Sequence, residues 1–110
     1  VTPFTADDQI DRAAFCDLLD FVIEGSAGDD GAELAGCEAV VVLGTTGENP
    51  TVTASERRAL VELAVEHVAG RVPVVVGTGT NDTRTSVAFS READAAGADG
   101  LLVVSPYYNK

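Results

Sequence analysis

Basic side chains are scarce. The 110-residue sequence carries seven Lys and Arg against eighteen Asp and Glu, a formal net charge of -11. A surface of that sign repels phosphate backbones and anionic lipid headgroups, which disfavours nucleic acid and anionic membrane surfaces as partners. Long apolar runs are missing too. None approaches the roughly 20 residues of a membrane helix, and no charged-then-apolar leader opens the sequence, so a soluble, intracellular protein is expected. Cysteine is limited to Cys16 and Cys37, with neither a CxxC pair nor a nearby His, which predicts two reduced thiols rather than a disulfide framework. Lysine is the scarcest charged residue, since six of the seven basic residues are Arg and the only lysine is Lys110. The acidic, Arg-over-Lys balance fits adaptation to high salt and compositional drift equally. What remains is globular: 45% hydrophobic residues supply one modest core. Because the sequence opens on Val1 and stops at Lys110 directly after an apolar run, it is expected to be a piece of something larger.

Phe15, Leu18, Leu19, Val22 and Ile23 recur with helical spacing and predict a one-sided helix beginning near Asp11, a suitable N-cap. The Gly- and Asp-rich stretch Gly25 to Gly36 lacks a period and reads as an exposed loop insertion with at most a short turn. Ala39 to Leu43 is a β-branched run apolar on both faces, as in a buried parallel strand. Thr53-Ala54-Ser55-Glu56 is a capping box, predicting a helix from about Ala54 to Val68 that Gly70 ends. Val72 to Val76 is the next strand, Asn81 or Asp82 caps a third helix reaching about Ala96, and Leu101 to Val104 is another strand. Val1-Thr2-Pro3 fits the end of an earlier strand. Strand, loop, helix and strand recur at intervals of about thirty residues, the spacing of βαβ units. The pattern fits a doubly wound sheet and a (β/α)8 barrel alike; a whole barrel takes about 250 residues, of which this chain would be less than half.

In both architectures ligands gather at the carboxyl ends of strands. Gly44-Thr45-Thr46-Gly47-Glu48 places two hydroxyls and several backbone N–H groups between glycines, enough to surround a small carboxylate or phosphate. A glycine turn whose threonines cap the following helix accounts for the same residues equally well. Gly77-Thr78-Gly79 is a weak dinucleotide candidate, because Asp82 stands where the third glycine belongs and no lysine follows. Tyr107 and Tyr108 sit at a strand end, where a phenol can relay protons, although packing with an exposed hydroxyl is the safer reading of an isolated pair. His67 falls within the second helix and reads as a surface residue. Asp29, Asp30 and Glu33, like Asp7 and Asp8, lack ordered ligand spacing and read as solvated charge, so no metal is expected.

Taken together, Val1-Thr2-Pro3-Phe4, Gly44 to Glu48 (GTTGE), Gly77-Thr78-Gly79 with Asn81 and Thr83, Gly97 to Gly100 (GADG) and Pro106 to Asn109 (PYYN) resemble the dihydrodipicolinate synthase family of pyruvate-dependent class I aldolases. The resemblance covers essentially the whole chain. It implies an α/β fold, the amino-terminal part of a single (β/α)8 TIM barrel: roughly the first four βα units, with the first strand truncated. It also implies a cytoplasmic homotetramer that needs no cofactor and condenses pyruvate with aspartate semialdehyde through a lysine Schiff base on the route to lysine. Thr45 would be a relay hydroxyl, Thr45 and Thr46 would hold the pyruvate carboxylate, and Tyr108 would be a relay tyrosine reaching into a neighbouring subunit. Asn49, Asn81 and Tyr107 would line an allosteric lysine site, but Ala54, Arg57 and Thr85 depart from the lysine-inhibited pattern and argue against feedback. GTTGE with PYYN favours the synthase over N-acetylneuraminate lyases and keto-deoxy sugar acid aldolases. The catalytic lysine belongs on a later strand, and Lys110 does not match it. A noncatalytic carboxylate-binding α/β module is the competing reading from another class.

Overall fold

The computed structural model describes residues 1–27 and 33–108. Helix α1 runs Arg12–Glu24, and the Asp11 carboxylate accepts the Ala14 N–H at 3.0 Å, the cap expected from sequence. Its predicted face is the one that packs: Phe15 and Leu19 are buried, and Val22 and Ile23 lie against the core. The stretch Gly25 to Gly36 departs from expectation. It contains a short antiparallel pair, β1 (Ser26–Ala27) and β2 (Glu33–Leu34), where only a turn was predicted. A ladder this short is made by backbone groups alone and leaves no period in the side chains. Glu33 lies in β2 and is exposed; Asp29 and Asp30 lie outside the described residues. Beyond β2 the chain returns to α1, where the Cys37 N–H donates to the Val22 carbonyl at 2.8 Å. Both cysteines are free thiols.

Strands β3 (Val40–Val42), β4 (Val74–Gly77) and β5 (Gly100–Leu102) form a parallel sheet in chain order, with Val42 beside Val76 and Val76 beside Leu101. Helices α2 (Ala54–Val68) and α3 (Thr83–Ala95) are the crossovers. A doubly wound sheet reverses strand order at a switch point. This sheet does not, and each strand pairs with the one before it. Val40, Val42, Val74 and Val76 face the helices and are buried with Leu60, Val61, Ala64 and Val68 of α2. Full burial of such a side chain contributes about 1.5–3 kcal/mol. The opposite face was expected to be buried as well. Instead Val41 is 56% and Leu102 50% exposed, because the helices cover one side of the sheet only.

The strand ends are shifted from their predicted positions for local reasons. Pro73 has no N–H to give a ladder, so β4 begins at Val74 rather than Val72, although the Pro73 carbonyl still accepts from Val40 at 3.0 Å. At its far end β4 keeps to the register of β5, where the Thr78 N–H donates to the Leu102 carbonyl at 3.0 Å, and Val103 and Val104 run on unpaired by any strand. Asp99 accepts the Val74 N–H through its side chain at 2.8 Å and donates its own N–H to the Val74 carbonyl at 2.9 Å. Val1-Thr2-Pro3 forms no strand; Thr2 is buried and donates to the Gly47 carbonyl at 2.7 Å. Among the described residues, no helix is long and apolar enough to cross a membrane.

His67 is not the isolated surface residue its helical position suggested. Its Nε2 lies 2.9 Å from Asp20 Oδ1, which also accepts from Arg71 Nη2 at 2.6 Å, and the cluster joins α1 to the end of α2. The hydrogen bond from Arg71 and then that from His67 hold the Asp20 carboxyl below its ordinary value. A depressed carboxyl stabilises the fold above its unfolded pKa, and that stabilisation is lost as pH falls through the folded value. Asp20→Asn in the complete protein should therefore lower the denaturant midpoint at neutral pH, with the difference closing below about pH 4, where the parent carboxyl also takes up its proton. A difference that persists unchanged into acid would contradict this assignment.

Candidate active site

Beyond β3 the backbone enters left-handed conformation at Leu43 (φ 57°), forms a tight helical turn over Thr45–Gly47, and turns left-handed again at Glu48 (φ 55°). Each such residue other than glycine costs roughly 1–2 kcal/mol, so the surrounding contacts must hold the loop in place. They are visible: the Gly47 N–H donates to the Gly44 carbonyl at 3.0 Å, Glu48 N–H to Thr45 carbonyl at 3.1 Å, and buried Thr2 clasps the Gly47 carbonyl. A second turn, Asn49–Thr51, leads to Thr53, whose hydroxyl and the Glu56 carboxylate form the predicted capping box of α2. Thr53 caps that helix, so Thr45 and Thr46 do not. Both of their side chains are exposed.

The loop forms one wall of a cavity of about 350 Å³, within the size range of small-molecule sites. Leu43, Gly44, Thr45, Asn49 and Pro50 line it from the β3 side, Gly77 and Gly79 from the end of β4, and Leu102, Val104 and Tyr107 from β5 and the segment beyond. The two glycines are required by close approach. A methyl group on Gly77 would lie 2.1 Å from the Leu43 carbonyl oxygen, and one on Gly79 would lie 2.3 Å from the Val104 nitrogen. Hydroxyl groups hold this turn from behind: Thr78, fully buried, is 2.8 Å from Ser90 Oγ, and Ser86 Oγ accepts the Thr80 N–H at 2.9 Å. Asp82, one of the two predicted caps, caps α3 by accepting from Thr85 N–H at 2.7 Å.

Of the residues singled out from sequence, the fold brings Thr45, Asn49 and Tyr107 together at the cavity. Thr46 lies on the same turn as Thr45, Asn81 follows the Gly77–Thr80 turn, and neither is among the lining residues. Tyr108 stands apart: it is 95% exposed and has positive φ (69°), whereas Tyr107 is 48% exposed and faces the cavity. Asn109 and Lys110 lie outside the described residues. Among those residues no cluster of His, Cys, Asp or Glu is arranged to hold a metal ion. Sequence reasoning missed the apolar contributors Leu102 and Val104, which were assigned simply to a strand. Arg57, noted from sequence only as a departure from the lysine-inhibited pattern, is buried and donates from Nη1 to the Gly77 carbonyl at 2.7 Å. Burial pushes the Arg57 pKa down, and the Glu92 charge partly opposes that shift.

The sequence model of the Dihydrodipicolinate synthetase family matches residues 1–110. The chain is 62% identical over 110 residues to the 4-hydroxy-tetrahydrodipicolinate synthase of Salinibacter ruber, covering all of this chain and 33% of that protein. The solved structure of dihydrodipicolinate synthase from Aquifex aeolicus superposes with a TM-score of 0.87 at 41% identity, covering 100% of this chain and 34% of the other. The chloride-inhibited dihydrodipicolinate synthase from Acinetobacter baumannii, solved complexed with pyruvate, gives 0.86 at 32% identity, with 100% and 34% covered. The chain thus spans about a third of the length of the proteins it matches, and its fold is the amino-terminal portion of their TIM barrel.

Proposed function

The chain belongs to the dihydrodipicolinate synthetase family, and on that premise we propose that the complete protein is a 4-hydroxy-tetrahydrodipicolinate synthase acting on pyruvate and L-aspartate 4-semialdehyde. The observation that carries this reading is the Gly44–Glu48 turn, held open at a strand end with Thr45 on the wall of a small-molecule cavity. A lysine amine from a later strand attacks the pyruvate ketone and releases water, giving a Schiff base. Loss of a methyl proton makes the enamine, whose carbon bonds to the aldehyde carbon while the aldehyde oxygen takes up a proton. Schiff-base chemistry needs a lysine made nucleophilic by desolvation, and Lys110 does not match the position of the family's lysine.

In this reading the backbone N–H groups and hydroxyls of Thr45 and Thr46 hold the pyruvate carboxylate, and the Thr45 hydroxyl passes protons to and from the reacting centre. Tyr108 completes the relay in the site of a neighbouring subunit of a cytoplasmic homotetramer; its exposure supports a side chain covered only on assembly. Asn49, Asn81 and Tyr107 are the proposed remnant of a lysine site, and Ala54, Arg57 and Thr85 leave it without the groups that confer strong inhibition. The open sheet face at Val41 and Leu102, and the groove of about 410 Å³ between α3 and β5, are where later βα units would pack. Borohydride reduction of the complete protein with pyruvate should fix one pyruvate on a single lysine beyond residue 110. Absence of any adduct would leave the noncatalytic carboxylate-binding module as the better reading.

A further inference from the structure

Arg57 is 3% exposed, yet among the described residues it has no carboxylate in hydrogen-bonding contact. Glu92, the acidic group that acts on it, lies 3.2 Å from Arg58 instead. The Arg57 guanidinium stacks over the Phe89 ring with Cζ 4.3 Å from its centre, donates from Nη1 to the Gly77 carbonyl, and leaves Nη2 without a partner among the described residues. Burying a cation on these terms is costly, and an apolar side chain of similar volume would pack the same space without that cost. Packing therefore does not explain the residue. The Gly77 carbonyl does, because it belongs to the strand end that presses on Leu43.

Arg57 meets the loop from Gly44 to Thr53 at both ends, through its side chain at one and its main chain at the other. At its start, Leu43 is in contact with Gly77, so closely that no Cβ fits between them. At its close, the Arg57 N–H donates to the Thr53 carbonyl at 2.9 Å, in the first turn of α2. The 2.7 Å bond from Arg57 Nη1 to the Gly77 carbonyl ties the first turn of α2 to the end of β4, and so links these two ends. We propose that Arg57 is a positioning residue, whose bond to Gly77 sets the loop carrying Thr45 and Thr46 at the spacing that binds the pyruvate carboxylate. This rests on the proposed function for its ligand, and it adds a residue that touches neither substrate nor reacting atoms. Arginine suits the task because its planar group sits over the Phe89 ring and stays charged despite burial, whereas lysine offers a point charge on a flexible stem.

The test uses the complete protein, with pyruvate affinity measured by calorimetry and borohydride trapping followed separately. Arg57→Met should weaken pyruvate binding on the order of tenfold to a hundredfold, the cost of a small misplacement of binding groups. The maximal adduct at saturating pyruvate should remain, and Arg57→Lys should recover part of the affinity. A folded Arg57→Met protein that binds pyruvate as the parent does would overturn the proposal, even if its unfolding midpoint had fallen. Should that variant not fold, Phe89→Leu decides: removing the ring beneath the guanidinium should weaken pyruvate binding by a smaller factor, and unchanged affinity would count against the role. A parent protein that binds pyruvate without forming an adduct would refute the Schiff-base reading and leave the Arg57 comparison intact.

Discussion

Thr45→Val in the complete protein should lower turnover by about 10²- to 10⁴-fold, the usual contribution of a positioned proton-transfer group. The substitution keeps the β-branched shape and removes the hydroxyl alone. The Thr45 backbone makes the turn, through its carbonyl to the Glu48 N–H, and this bond survives the change. The side chain is exposed on the cavity wall, so removing its oxygen leaves no buried group unsatisfied. The unfolding midpoint should accordingly stay close to that of the parent. Steady-state rates at saturating pyruvate and aspartate semialdehyde, taken with thermal unfolding, would check both halves. Near-normal turnover in Thr45→Val would remove Thr45 from the relay and restrict this loop to binding.

Gly77→Ala should have the largest effect on stability. The added methyl would lie 2.1 Å from the Leu43 oxygen and 2.7 Å from the Leu43 carbon, both backbone atoms with no rotamer to move. Either β4 moves away from β3 or Leu43 leaves its left-handed conformation, and the loop that starts at Gly44 shifts with it. Overpacking of this kind costs about 1–3 kcal/mol and occasionally more. The upper end is expected here, because Gly77 also carries the carbonyl that Arg57 holds. Denaturant unfolding of the complete protein would measure the loss, and a variant as stable as the parent would show that the two strand ends can separate freely.

Interactions within a few residues were legible in the sequence. Asp11 with Ala14, Thr53 with Glu56, and Asp82 with Thr85 each close within a helical turn, so residue type and spacing suffice to place them. The valine runs likewise gave the strand centres. Their ends were not legible, because they depend on partners: Val103 and Val104 continue an apolar run but find no strand beside them once β4 ends at Gly77. The pairs Asp20 with His67, Arg57 with Gly77, and Asp99 with Val74 bridge 47, 20 and 25 positions. Nothing local in the sequence marks either member of those pairs. The site shows the same division. The glycine and threonine pattern marked the loop, but only the fold separates Tyr107, which lines the cavity, from Tyr108, which stands outside it.

Because each strand of the sheet pairs with its predecessor, every ladder can close as soon as the next strand has left the ribosome. A chain that grows from its amino terminus can then assemble this sheet vectorially, one βα unit at a time, without waiting for distant segments. The same order gives the nascent chain a vulnerable interval. Until more strands are added, β5 presents an unpaired edge and Leu102 an uncovered apolar surface, the combination through which partly made sheets stick to one another.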